Sequence, residues 1–111
     1  MNNQISMFEL VDFEGTLPQE RQKFRRALKH GTGFENGKER VRKYAAEMNK
    51  KDFAEAVKKE YGIGGSSFED GWIGTTSTYF YICDDGWNSR HEYSWTEVAN
   101  EILDMIKNNI Y

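Results

Sequence analysis

The sequence predicts an α+β domain: three N-terminal helices, a small antiparallel β-sheet built around a hairpin, and one C-terminal helix. Three observations carry this expectation. As far as Tyr61, apolar residues recur at helical spacing. Between Trp72 and Cys83 the chain turns β-branched and aromatic. From Ser94 onward the helical period returns behind a capping box.

The elements follow in order. Residues 5–13 alternate imperfectly and are expected as a short strand or a loose arm. Residues 1–16 are therefore set apart from a single domain over residues 17–111. Thr16 is expected to cap the first helix, with Leu17 and Pro18 next, since proline in a first turn loses no needed N–H. Phe24, Ala27 and Leu28 share one face of that helix, and Gly31 stops it. Residues 31–37 hold three glycines and are expected as a loop. A second helix over residues 38–48 would bury Val41, Tyr44, Ala45 and Met48. Asn49 is a good N-cap for a third helix, and Asp52 favours its N-terminal dipole. That helix runs to Glu60, buries Phe53, Ala54 or Ala56, Val57 and Tyr61, and ends at Gly62.

Residues 63–67 read as the most flexible segment. Strands are expected over residues 72–76 and 78–83, then a return strand over 87–93 after the Asp84-Asp85-Gly86 turn. Ser94 as N-cap and Glu97 at N3 open the last helix, which buries Trp95, Val98, Ile102 and Ile106 and ends near Asn108.

At 111 residues the chain is one domain, too short for a two-domain enzyme or a barrel. Mean hydropathy is −0.82, yet 3 Trp, 6 Tyr and 7 Phe suffice to fill a small core. No run approaches a membrane span, and Met1-Asn2-Asn3-Gln4 does not open a signal peptide. A lone Cys83 permits no internal disulfide, which fits a reducing, cytoplasmic compartment.

The net charge of −3 is unevenly placed. Residues 1–20 carry −4, residues 21–59 carry +8 and residues 60–111 carry −7. Arg21, Lys23, Arg25, Arg26, Lys29, Lys38, Arg40, Arg42 and Lys43 are the candidates for a nucleic-acid-binding stripe on two consecutive helices. Against this stands a pI of about 5.4. Glu69, Asp70, Asp84, Asp85, Glu92, Glu97, Glu101 and Asp104 are the candidates for an acidic face that imitates a DNA backbone. The plainer alternative for both sets is a solvated surface in which the two signs pair. Trp87, just after the turn, is the aromatic expected to meet a partner.

Catalytic and metal chemistry find little to work with. His30, His91 and Cys83 lie on different elements without metal-ligand spacing, so no metal and no cofactor are expected. A Cys83–His91 dyad across the hairpin is a remote third reading, because Asp84 and Asp85 would raise the thiol pKa. Gly62-Ile63-Gly64-Gly65 lacks the Gly-Lys-Ser/Thr of a P-loop and follows a helix instead of a strand.

Four segments carry a resemblance: Ala27-Leu28-Lys29-His30-Gly31-Thr32-Gly33-Phe34, Gly37-Lys38-Glu39-Arg40-Val41, Lys58-Lys59-Glu60-Tyr61-Gly62-Ile63-Gly64-Gly65, and Ser94-Trp95-Thr96-Glu97-Val98-Ala99-Asn100-Glu101-Ile102. In this order they resemble an accessory domain of very large helicase–methylase proteins of Gram-positive mobile elements and phages. The likeness spans roughly residues 24–111, with Tyr-Gly-Ile-Gly-Gly and Ser-Trp-x-x-Val-Ala its specific parts. The chain departs from that pattern over residues 75–93 and carries no helicase or methylase motif. The resemblance implies a mobile-element context and no catalytic residue. A small acidic protein from such a context is similar in kind to anti-CRISPR proteins. The expected function is therefore a non-enzymatic inhibitor that binds a Cas effector such as Cas9 or its guide-RNA complex. The alternative is a nucleic-acid-binding accessory module for mobile-element replication or transfer.

Overall fold

The computed structural model describes residues 16–30, 32–84 and 90–111. Helices α1 (Gln19–His30), α2 (Thr32–Glu47) and α3 (Lys50–Tyr61) come first. Strands β1 (Gly64–Phe68), β2 (Gly71–Thr75), β3 (Tyr79–Cys83) and β4 (Arg90–Ser94) follow, and α4 (Trp95–Lys107) closes the chain. The strands form one antiparallel sheet in the order β1-β2-β3-β4. The predicted α+β class is the observed one.

Local signals set most boundaries. Asn49 caps α3 by accepting from the Asp52 N–H at 2.9 Å. Gly62 ends it at φ 68°, a left-handed conformation that suits glycine. Ser94 opens α4 with a complete capping box: its Oγ accepts from Glu97 N at 3.1 Å, and its N–H donates to Glu97 Oε1 at 2.8 Å. Asn109 at φ 64° ends that helix, with Ile110 N donating back to Met105 O at 2.9 Å.

Four boundaries differ from expectation. Thr16 does not cap α1, which begins at Gln19; Pro18 precedes the first turn and its carbonyl accepts from Gln22 N at 3.0 Å. The expected loop over residues 31–37 is largely the first turns of α2. Glycine costs about 0.5–1 kcal/mol in a helix interior, but here a tertiary contact favours it. A Cβ on Gly37 would collide with the Glu60 carboxylate, which takes a bidentate clasp from Arg40 at 2.9 Å on both oxygens. The supposedly flexible residues 63–67 supply β1, an edge strand held by its partner β2. Thr75 Oγ1 anchors it, donating to Gly62 O at 2.7 Å and accepting from Gly64 N at 3.0 Å. Met48, expected in the core, is exposed just past the end of α2 at Glu47.

The helices pack on one face of the sheet. Phe24 stacks on Tyr93 at 3.7 Å, and Phe80 meets Tyr61 and Trp95 edge-on, each at 6.2 Å. Ala54, not Ala56, is the buried alanine of α3. Trp95, Val98 and Ile102 are buried as predicted, with Met105 beside them and Ile106 partly covered. The C-terminal Tyr111 is buried as well. Tyr61 Oη donates to Leu28 O at 2.6 Å, so the 3.2 Å contact between the two phenols has Tyr111 as donor. No helix among the described residues is long and apolar enough to cross a membrane.

Candidate binding surfaces

Antiparallel register sorts the sheet residues onto two faces, because cross-strand partners share a face and sequence neighbours do not. Ile73, Ile82 and His91 align across β2, β3 and β4, as do Thr75, Phe80 and Tyr93. This is the face under the helices. The opposite face carries Trp72, Cys83 and Arg90 in one row and Gly74, Tyr81 and Glu92 in the next, with Tyr79 beyond. Trp72 lies against Gly65 and Tyr81 against Gly74, where added Cβ atoms would strike the rings. The Arg90 guanidinium lies 5.2 Å from the Tyr81 ring centre and 5.6 Å from that of Tyr79. Its hydrogen bond to Glu92 at 2.6 Å raises the Arg90 pKa further. The outer face is thus an aromatic stripe crossed by one guanidinium, and none of its rings joins the core cluster.

The predicted basic stripe has a different fate. Arg25 is only 2% exposed, so it is unavailable to a phosphate backbone. It binds Glu101 at 2.6 Å and reaches Asp104 as well. Arg21 joins the same acids at 3.0 and 3.3 Å. Arg26 turns toward the β1–β2 turn and pairs with Asp70 at 2.7 Å. Arg40 pairs with Glu60, whose hydrogen bond raises the Arg40 pKa. Lys23, Lys29, Lys38 and Arg42 are half-buried and Lys43 is exposed. Arg21, Arg25, Arg26 and Arg40, four of the nine predicted bases, are thus engaged within the protein, and Arg25 is withdrawn from the surface.

The acidic candidates are the other halves of these contacts. Glu101 and Asp104 hold α1, Asp70 holds Arg26, Glu92 holds Arg90, and Glu97 serves the capping box. Glu69 is exposed and Asp84 half-buried. Asp85, Trp87 and the turn expected at residues 84–86 fall wholly or partly outside the described residues, as does the arm expected over residues 1–16. Cys83 pairs with Arg90 and His91 with Ile82, so thiol and imidazole point to opposite faces and the dyad reading fails on geometry. His91 instead stacks on Tyr93 at 4.5 Å and lies 3.5 Å from a Glu20 oxygen. His30 lies at the end of α1, 5.9 Å from the Phe68 ring. No group of three or more metal-ligating side chains gathers among the described residues.

A third surface had no expectation attached to it. Lys50, Lys51 and Lys58 line a groove of about 500 Å³ between α3, the β2–β3 turn and the first turns of α4. Thr78, Thr96 and Asn100 line the other side. Trp95 Nε1 donates to Thr76 O at 3.1 Å and ties the turn to α4. The signal in the sequence was lysines at helical repeat, 50, 51 and 58, but the opposing wall comes from residues far along the chain.

Compared with known proteins, the chain matches no family model, no curated protein and no solved structure.

Proposed function

We propose that this chain is a non-enzymatic protein of a phage or mobile element that binds a host nucleic-acid-handling defence complex, acting as an anti-CRISPR inhibitor of a Cas effector such as Cas9 in the bacterial cytoplasm. The mobile-element context rests on the resemblance of residues 24–111 given above. The observation that supports binding is the outer sheet face. Tyr79, Tyr81 and Arg90 form a contiguous surface outside the core, with Trp72 in the adjoining row. Tryptophan, tyrosine and arginine are the residue types enriched at the energetic centres of protein interfaces. The glycines beneath the rings leave the aromatic surface broad and low, suited to a flat partner.

The test is binding of the purified chain to immobilised Cas9, to the Cas9–guide complex and to free duplex DNA. The expected result is stoichiometric binding to the effector or its complex. Replacing Tyr79 and Tyr81 by alanine should weaken it roughly 10–100-fold, the range of an interface hot spot. Circular dichroism confirms that the variant is folded. No affinity for either form of the effector, or an affinity indifferent to the double substitution, overturns the reading.

A further inference from the structure

We propose that the lysine-lined groove between α3 and α4 is a separate site that takes the phosphate backbone of a single-stranded polynucleotide. Its charge is positive and little compensated. Lys50, Lys51 and Lys58 face a single lining carboxylate, Glu55. Lys58 already lies 3.4 Å from Glu55 and donates to Ser77 O at 3.3 Å, so it is held in place across the groove. Lys50 and Lys51 make no ion pair among the described residues.

Their position is also unfavourable without an anion. Both lysines stand in the first turn of α3, at the positive end of its dipole. A cation there opposes the dipole by about 0.3–1 kcal/mol, and Asp52 offsets part of it. An anion seated in the groove removes that opposition. Phosphate fits this lining: lysine ammoniums bind phosphate oxygens as mobile point charges and need no fork geometry. Arg21, Arg25, Arg26, Arg40 and Arg90 are engaged within the protein.

The groove's neighbours separate a polynucleotide from an acidic peptide. Thr78, Thr96 and Asn100 add neutral donors suited to phosphate or ribose oxygens. Thr78 on the groove's wall is followed by Tyr79, whose ring lies on the sheet face opposite the helices, so a strand leaving the groove reaches Tyr79 and Tyr81 by rounding the β2–β3 turn. A cationic channel leading onto aromatic rings is how single strands are held without sequence preference, with backbone in the channel and bases on the rings. An acidic peptide has no bases to stack, and a duplex keeps its bases paired and inside.

Fluorescence anisotropy of the full chain with labelled strands of about 12 nucleotides tests this. The probes are RNA, DNA of the same sequence, the corresponding duplex and a polyglutamate peptide, each at two salt concentrations. Wild type should bind single strands better than duplex or peptide. Lys50→Glu with Lys51→Glu should weaken strand binding at least tenfold. The same pair should flatten the log–log salt dependence by about 1.4, at roughly 0.7 for each phosphate that a lysine neutralises. Lys29→Glu with Lys43→Glu makes the same charge change away from the groove and should lower affinity less than threefold. Tighter binding of RNA that is abolished in Asn100→Ala assigns a ribose contact to Asn100; equal binding of RNA and DNA assigns recognition to the phosphates. No strand binding, equal weakening by both lysine pairs, or polyglutamate bound as tightly as the strands overturns the proposal. The assay contains no Cas effector, so its result is independent of the function proposed above.

Discussion

Arg25 joins α1 to α4 from inside the protein. Its side chain is buried, and its partners Glu101 and Asp104 lie more than seventy residues along the chain. A desolvated ion pair contributes little relative to a well-packed apolar substitute, but removing one partner leaves a buried charge. Arg25→Met leaves the buried Glu101 with only the half-buried Arg21 against it, and should therefore lower stability by up to about 3–5 kcal/mol, read from urea unfolding. Adding Glu101→Leu should restore most of that stability, because no carboxylate is then stranded in the core. A single variant destabilised by less than about 1 kcal/mol would show the cluster to be surface-like in energy. The sequence made Arg25 look like one exposed base among several on α1. Local spacing shows which residues share a helix face, but not that an acid from α4 arrives on it.

The same limit recurs among the elements. The third and fourth helices, β2 and β3 were legible because their signals are short-range: an N-cap at Asn49, a capping box at Ser94, aromatic and β-branched runs between them. β1 was illegible because Gly64-Gly65-Ser66-Ser67 has no strand propensity of its own. Its conformation is imposed by hydrogen bonds to β2 and by Thr75, which bridges Gly62 and Gly64 through one hydroxyl. Thr75→Val keeps the branched shape and removes that bridge, at an expected cost of about 1–2 kcal/mol. Amide hydrogen exchange should quicken in Gly64–Phe68 while the β3 amides stay protected. Equal acceleration in β1 and β3 would mean that the sheet opens as one unit and that Thr75 does not pin its edge. The start of α2 was hidden for a related reason: Gly37 reads as a loop residue until Glu60 is brought against it. The lysine groove was hidden in the same way, since half of its wall belongs to a turn and a helix distant in the chain.

Over the whole molecule, buried phenols bind the C-terminus to the core and should set the alkaline limit of stability. Burial raises Tyr93 to about 12, helped by Glu20, Glu97 and Glu101, and raises Tyr111 to about 12. Burial and the neighbouring Tyr111 hold Tyr61 well above its ordinary value of 10. In the unfolded chain these phenols lose their protons near pH 10, while the folded protein retains them. The folded state therefore binds more protons above pH 10. The stabilisation is complete below pH 10 and is lost as pH rises from about 10 to about 12, at up to about 1.4 kcal/mol per pH unit for each group. The urea midpoint should accordingly decline through that window. Tyr111→Phe removes one titrating phenol and the hydrogen bond to Tyr61, so it should lower the midpoint at pH 8 yet decline less steeply above pH 10. A wild-type midpoint that holds to pH 12, or an equally steep decline in the variant, would show that these phenols do not control the alkaline transition. The outcome bears on architecture, because Tyr61 also holds the Leu28 carbonyl of α1: one buried hydroxyl pair joins the first helix, the third and the chain's last residue.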